Sequence, residues 1–362
     1  MEKRKVLFVI HQLNHGGVQK SLIAALNALN YEENEVTLYI RKNRVQLLDE
    51  VNSNVQKIII NEDQTHYYRK QYMIYLSVCK KINGLLGNKQ KCNDIQSKIV
   101  SYLNESQMKY EQEHYFSVKE EYDVAVSYIQ GYTAKFVAEH INAKKKIMFF
   151  HGSTDENHEL HEEIMPKFDD IAGVNENVQK ILEQLYPSVA DKMTYIENYV
   201  DAEEIREKAK AFNVEKEQNK LILCSCGRIT PVKGFDLAVE TAKELHNAGI
   251  DFLWYFVGDG SERKKIESLI EQYYLKNNIV ITGMQENPYP YIASCDIYVQ
   301  PSYEEAQPLS IIEAMILNKT VISTATVGGK TLITEGVNGI LSEIKAEAVS
   351  EAISYVMNNK EI

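Results

Sequence analysis

Several ordinary ingredients are scarce in this chain, and each scarcity removes a class of protein. Seven prolines in 362 residues argue against long disordered or polyproline stretches. The five cysteines, Cys79, Cys92, Cys224, Cys226 and Cys295, show no zinc-ligand spacing. No apolar run approaches the length of a membrane span. No Gly-x-Gly-x-x-Gly follows the first strand of either half, which disfavours a nicotinamide dehydrogenase. Positive charge is also short. The net charge is -11, which disfavours nucleic acid as a partner, and the acidic excess lies almost wholly in the second half. The opening Met1-Glu2-Lys3-Arg4-Lys5 leads straight into a strand-like run rather than a signal-peptide core. The expected setting is therefore the reducing cytoplasm.

What is present is a globular composition, 44% apolar and 25% charged, in a chain long enough for two domains. Strand-like runs alternate with helical ones. Lys5 to Ile10, Glu35 to Ile40 and Val55 to Ile60 read as strands, with helical patterns from Leu22 to Leu29 and from Asn43 to Val51 between them. The rhythm breaks over residues 64–119 and resumes at Asp123. It is cleanest after Lys220, where strands over Leu221 to Cys226, Phe252 to Val257, Ile279 to Thr282, Ile297 to Gln300, Val321 to Thr324 and Gly339 to Leu341 are separated by helices. Such alternation predicts parallel sheets covered by helices. The expected fold class is α/β, with two Rossmann-like doubly wound domains facing across a cleft. The expected boundaries are residues 1–195 for the first domain and 196–345 for the second, with a C-terminal helix over 346–362 packing back toward the first. Doubly wound sheets bind ligands at the carboxyl ends of their strands. Cys224 and Cys226 fall on one face of a strand, as core residues do.

The richest stretch is Pro301-Ser302-Tyr303-Glu304-Glu305-Ala306-Gln307-Pro308-Leu309-Ser310-Ile311-Ile312-Glu313-Ala314-Met315. It follows a strand and opens a helix. Pro308 suits a helix start. The free amides of Gln307, Leu309 and Ser310 would favour an anion there. This stretch resembles the Glu-x7-Glu motif of the family-4 glycosyltransferases, which have the GT-B fold. Gly227-Arg228-Ile229-Thr230-Pro231-Val232-Lys233-Gly234 is similar to that family's Gly-Arg-x4-Lys-Gly, and Val257-Gly258-Asp259-Gly260 and Gly16-Gly17 agree with it in order. The match covers about residues 220 to 341; the first half matches only at Gly16-Gly17 and His151-Gly152.

The resemblance implies a retaining transferase that moves a sugar from a nucleotide-sugar, with UDP the commonest nucleotide of such families. Arg228 and Lys233 would hold the departing diphosphate, Arg as a fork and Lys as a point charge. Glu313 would take the ribose hydroxyls and Glu305 the donor sugar, since a carboxylate accepts two hydroxyl hydrogen bonds. His151 would contact the sugar near the reacting carbon. Gly16, Gly17, Gly258, Met284, Gln307, Pro308, Leu309 and Ser310 would line the donor. Each has a plainer reading beside it. The two cations suit a solvated loop, Glu313 a helix start, Gly16-Gly17 and Gly258-Asp259-Gly260 tight turns, and His151 a strand end. No metal site and no cofactor are implied, because no Asp-x-Asp ends a strand and protein cations can replace an ion. Three departures stand out: Gln19 where the family often has an acid, Ala306 where it has glycine, and Asn198-Tyr199-Val200-Asp201 at the domain junction.

On the acceptor side, residues 64–100 carry Arg69, Lys70, Lys80, Lys81, Lys89, Lys91 and Lys98 against Asp94, interleaved with Tyr67, Tyr68, Tyr72 and Tyr75. A basic aromatic amphipathic stretch suits an anionic membrane surface. The expectation is a peripheral enzyme meeting a glycan or polyprenyl-linked acceptor; a solvated helical insertion or a partner interface fits the same residues. Two rival functions remain at this stage: a GT-B sugar-nucleotide epimerase, and a non-catalytic partner subunit.

Overall fold

The computed structural model describes residues 2–61, 89–116, 119–155, 157–214 and 219–359. By internal contact they form two compact units. The first takes Met1–Phe150, Glu156–Gly173 and Leu182–Thr194; the second takes His151–Asp155, Val174–Ile181 and Tyr195–Ile362.

The first unit holds a seven-stranded sheet in the order β3-β2-β1-β4-β5-β6-β7. Its strands are β1 (Arg4–Ile10), β2 (Asn34–Ile40), β3 (Lys57–Ile60), β4 (Tyr122–Ser127), β5 (Ala143–Phe150), β6 (Asp170–Gly173) and β7 (Met193–Tyr195). The helices in this half of the chain are α1 (Gly17–Ala28), α2 (Lys89–Tyr115), α3 (Tyr132–His140), α4 (His158–Ile164) and α5 (Glu176–Leu185). The core gathers Phe8, Ile10 and Leu13 against Leu22 and Leu26 of α1 and Leu38 and Ile40 of β2. The helix expected over residues 43–51 is absent: one 3₁₀ turn, Leu48–Glu50, stands there. The reason lies in the backbone. Leu13 N–H donates to the Arg44 carbonyl at 2.7 Å and Leu47 N–H to the Leu13 carbonyl at 3.0 Å, so the loop after β1 takes groups that a helix would pair internally.

The second unit holds a six-stranded parallel sheet in the order β10-β9-β8-β11-β12-β13. Its strands are β8 (Leu221–Cys226), β9 (Phe252–Val257), β10 (Ile279–Gly283), β11 (Ile297–Gln300), β12 (Thr320–Thr324) and β13 (Ile340–Ser342). Its helices are α6 (Ala202–Lys208), α7 (Phe235–Asn247), α8 (Arg263–Gln272), α9 (Tyr289–Ser294), α10 (Leu309–Ile316), α11 (Val327–Leu332) and α12 (Ala346–Asn358). Every residue of β9 is buried, as in a parallel sheet covered on both faces. Alternation sorts its side chains: Phe252, Trp254 and Phe256 enter one core, Leu253, Tyr255 and Val257 the other. Cys224 and Cys295 are buried in the second of these cores, with Cys226 packed against it. Burial raises the Cys224 thiol well above its usual pKa.

Two helices here have quiet sequence signals. Asp201 caps α6, accepting from the amides of Glu203 and Glu204, both at 3.0 Å. Thr326 caps α11 through the Gly329 amide at 3.1 Å, and Gly328-Gly329 hides that helix from a propensity reading. The last helix is packed within its own unit. Val349, Ile353 and Val356 of α12 pack with Ala238, Ala242 and Leu245 of α7 in the second unit.

Candidate functional site

In the second sheet the strand order reverses between β8 and β11, the kind of place at which doubly wound sheets bind their ligands. Glycines let these loops approach. Gly234 sits in the left-handed region at φ 64°, and a Cβ there would stand 2.0 Å from the Pro301 carbonyl oxygen. Tyr303 N–H donates to the Val232 carbonyl at 2.9 Å, joining the loop after β11 to that after β8. The loop after β9 is bound as tightly. A Cβ on Gly258 would meet the Gly227 oxygen at 1.9 Å, and one on Gly260 the Ile229 oxygen at 2.2 Å. Asp259 is held by Arg263 at 2.9 Å. Gly258, expected to line the donor, thus has a packing reason of its own.

The centre of the arrangement is Glu305, 8% exposed. A single oxygen, Oε1, accepts from Lys233 Nζ at 2.6 Å, Ser302 Oγ at 2.7 Å and Gln300 Nε2 at 3.1 Å. Such pairing is what makes a buried carboxylate tolerable. Gln300 gives the network its polarity. Its Oε1 accepts from Tyr298 O–H at 2.9 Å and Ser310 O–H at 2.8 Å, while its Nε2 donates to Ser302 and Glu305. Sequence reasoning passed over Gln300; the available signal was a polar residue closing the apolar strand Ile297–Val299. Arg228 differs from Lys233. It is exposed, and among the described residues no carboxylate pairs with it.

The helix that follows is anchored by its backbone. Gly328 N–H donates to the Glu305 carbonyl at 2.8 Å, and Asn175 Nδ2 donates to the Ala306 carbonyl at 2.7 Å. A Cβ on Gly328 would come within 2.5 Å of Pro308 Cδ. Gln307 Oε1 accepts from Asn198 Nδ2 at 2.5 Å and its amide at 3.3 Å, which accounts for the asparagine in the junction sequence. Pro308 is the N-cap of α10, so Leu309 and Ser310 occupy first-turn positions whose amides have no i−4 acceptor. Glu313 lies beyond the first turn and is 6% exposed. It accepts from the Tyr289 hydroxyl at 3.1 Å, a contact that a helix-start reading does not provide.

The remaining expected residues are spread more widely. Met284 follows β10, half exposed after Gly283 at φ 75°. His151 directly follows β5 and groups with the second unit in the segment His151–Asp155. In that segment Ser153 and Thr154 donate to Glu304 Oε1 at 2.8 and 2.7 Å. Gly16 and Gly17 belong to the first unit, at the start of α1. The nearest neighbour of a Cβ on Gly16 would be the Gln19 side-chain oxygen, at 2.4 Å.

The first unit holds a buried ion pair that the sequence did not announce. Arg41, just past β2, pairs with Glu111 of α2 at 2.8 Å, with 4% and 0% of their side chains exposed. Arg41 also donates to the Tyr132 carbonyl, and Asn61 and Gln107 donate to Glu111. Beside it His11 is lowered to a pKa of about 4, first by burial and then by Lys42, Arg41 and Arg44. The unfolded chain therefore binds a proton below about pH 6.5 that the folded one refuses until about pH 4. Stability contributed by neutral His11 is complete above pH 6.5 and declines toward pH 4, by at most about 3 kcal/mol. Urea melts of wild type and His11→Asn across that range should converge as pH falls; parallel curves would refute the assignment.

Residues 64–88 of the expected membrane-docking stretch lie outside the described residues, and of 89–100 only the helical backbone is described. Among the described residues no helix is long and apolar enough to cross a membrane.

The family described as Glycosyl transferases group 1 matches residues 206–362. The uncharacterized glycosyltransferase MJ1059 of Methanocaldococcus jannaschii is 27% identical over 151 residues, 40% of this chain and 37% of that protein. The poly(ribitol-phosphate) alpha-N-acetylglucosaminyltransferase of Staphylococcus aureus is 29% identical over 166 residues, 45% of this chain and 32% of that one. The matched stretches thus span well under half the length of these curated relatives. The crystal structure of HepE from Anabaena in complex with UDP and glucose superposes with a TM-score of 0.69 over 99% of this chain and 91% of its own, at 15% identity. At that identity the likeness is one of fold: two Rossmann-like α/β domains of the GT-B class.

Proposed function

We propose that this chain is a retaining glycosyltransferase that moves a hexose or N-acetylhexosamine from a UDP-sugar to a hydroxyl of a glycan or lipid-linked acceptor in surface-polysaccharide synthesis. One observation carries the reading: Arg228, which no carboxylate pairs among the described residues, the Lys233–Glu305 pair and the start of α10 flank one strand-order reversal. In the reaction the bond from sugar C1 to the diphosphate oxygen breaks. A bond from the acceptor oxygen to C1 forms on the same face, and the acceptor proton leaves with the diphosphate. Negative charge grows on the departing diphosphate. Arg228, Lys233 and the first-turn amides of α10 offset it; a single preorganised donor of this kind is worth roughly 2.7–4 kcal/mol in the transition state. Glu313, buried and steadied by Tyr289, is suited to paired ribose hydroxyls. Glu305 Oε1 is filled by three protein donors, which leaves Oε2 for a sugar hydroxyl.

Calorimetry with UDP, GDP, CMP and dTDP tests the reading. UDP should bind, and Arg228→Ala and Glu313→Ala should each weaken it by about 10- to 100-fold, as expected for loss of a charged hydrogen bond. A folded protein that binds none of the four is better read as a non-catalytic partner subunit.

A further inference from the structure

We propose that Glu304 is a positioning residue that clips the 151–155 segment, and with it His151, to the loop carrying Glu305; the proposal rests on the glycosyl-transfer reading. Ser153 and Thr154 both donate to Glu304 Oε1 across 151 and 150 residues of sequence. The segment leaves β5 at Phe150, and among the described residues the next helix begins at His158. No regular ladder therefore fixes its path.

The two ends of the clip differ in rigidity. Glu304 stands on a braced loop. Its own amide and that of Tyr303 point at the Val232 carbonyl, at 3.4 and 2.9 Å, and the next residue is locked by Lys233, Ser302 and Gln300. Ser153 and Thr154 stand on irregular backbone. His151 is two residues from Ser153, no more than about 7 Å of extended chain, and Glu305 is one peptide from Glu304, about 3.8 Å between Cα atoms. The carboxylate therefore joins the segment holding the histidine to the centre of the site, while itself lying outside the groups assigned to the diphosphate and ribose. Its loss should loosen the segment and impair transfer, and leave nucleotide binding in place.

The experiment compares Glu304→Ala, Glu304→Gln and Ser153→Ala/Thr154→Val with wild type. Thermal melting checks folding. Hydrogen exchange reads the 151–155 peptide, calorimetry reads UDP affinity, and UDP release from UDP-glucose and UDP-N-acetylglucosamine reads turnover with water as acceptor. In Glu304→Ala and the double variant, exchange of that peptide should rise about tenfold. Turnover should fall roughly 10- to 100-fold, as a misplaced group near the reacting centre does, and the UDP Kd should change less than about threefold. Glu304→Gln, which keeps an accepting oxygen, should restore both exchange and turnover. Unchanged exchange, loosened exchange with wild-type turnover, or no rescue by glutamine each overturns the proposal. A wild-type protein that neither binds UDP nor consumes either sugar overturns the parent reading and this one with it, and is told apart because exchange still reports the clip.

Discussion

Lys233→Ala should lower turnover of a UDP-sugar about 100- to 1,000-fold, the cost of one preorganised donor at a developing charge. The proposed function gives this residue a second task beside its ion pair, and the variant separates the two. As partner of Glu305 it supplies one of three donors to Oε1. Ser302 and Gln300 remain after its removal, and the lysine side chain is 24% exposed, so the stability cost should stay near 1–2 kcal/mol. Glu305→Gln removes the ion pair and keeps the lysine, so it should hold UDP affinity while changing turnover. Initial rates of UDP release beside melting curves decide the matter. If Lys233→Ala melts early and turns over normally, the lysine is only the counter-ion of a buried carboxylate.

Gly258→Ala should strongly destabilise the second unit. The residue sits at φ 150°, and an added methyl would stand 1.9 Å from the Gly227 carbonyl oxygen, which is backbone. Neither loop can yield without moving a strand end, since Gly227 N–H and Val257 O are themselves bonded at 3.0 Å. Overpacking and a sparsely populated backbone together cost roughly 3–5 kcal/mol, or about 10 °C in melting temperature for a unit of this size. Gly249→Ala is the control. It is also left-handed, at φ 74°, but a Cβ there would meet nothing within 4 Å, so only backbone strain of about 1 kcal/mol applies. Equal losses in the two variants would show that crowding between the loops is unimportant.

The parts of this molecule that could be read from its sequence are those with local periodicity. Strand β9 is visible because all six of its residues are buried and apolar or aromatic, and the spacing of Glu305 and Glu313 survives as a loop and a helix of one segment. What escaped notice depends on partners remote in sequence. Gln300 looks like the end of a strand until Ser310 and Glu305 fold around its amide. Glu304 resembles any loop acid until residues 150 positions earlier reach it. The misread helix at 43–51 failed for the same reason, because its backbone groups were engaged by Leu13. The packing of α12 on α7 could not be inferred either: an amphipathic helix states that it has a buried face without naming what covers it.

The Arg41–Glu111 pair bears on how this chain can change length. Helix α2 interrupts a βα rhythm and resembles a removable insertion, the kind of segment that homologues gain and lose freely. It is not removable by itself, for it carries the counter-charge of an arginine sealed beneath it. Deleting the whole helix would take away both the counter-charge and the cover of Arg41, whereas a change that keeps the cover and loses Glu111 would strand a cation in the core at a cost of about 3–5 kcal/mol. A shortened descendant that keeps the cover must therefore keep Glu111 or change position 41 in the same step.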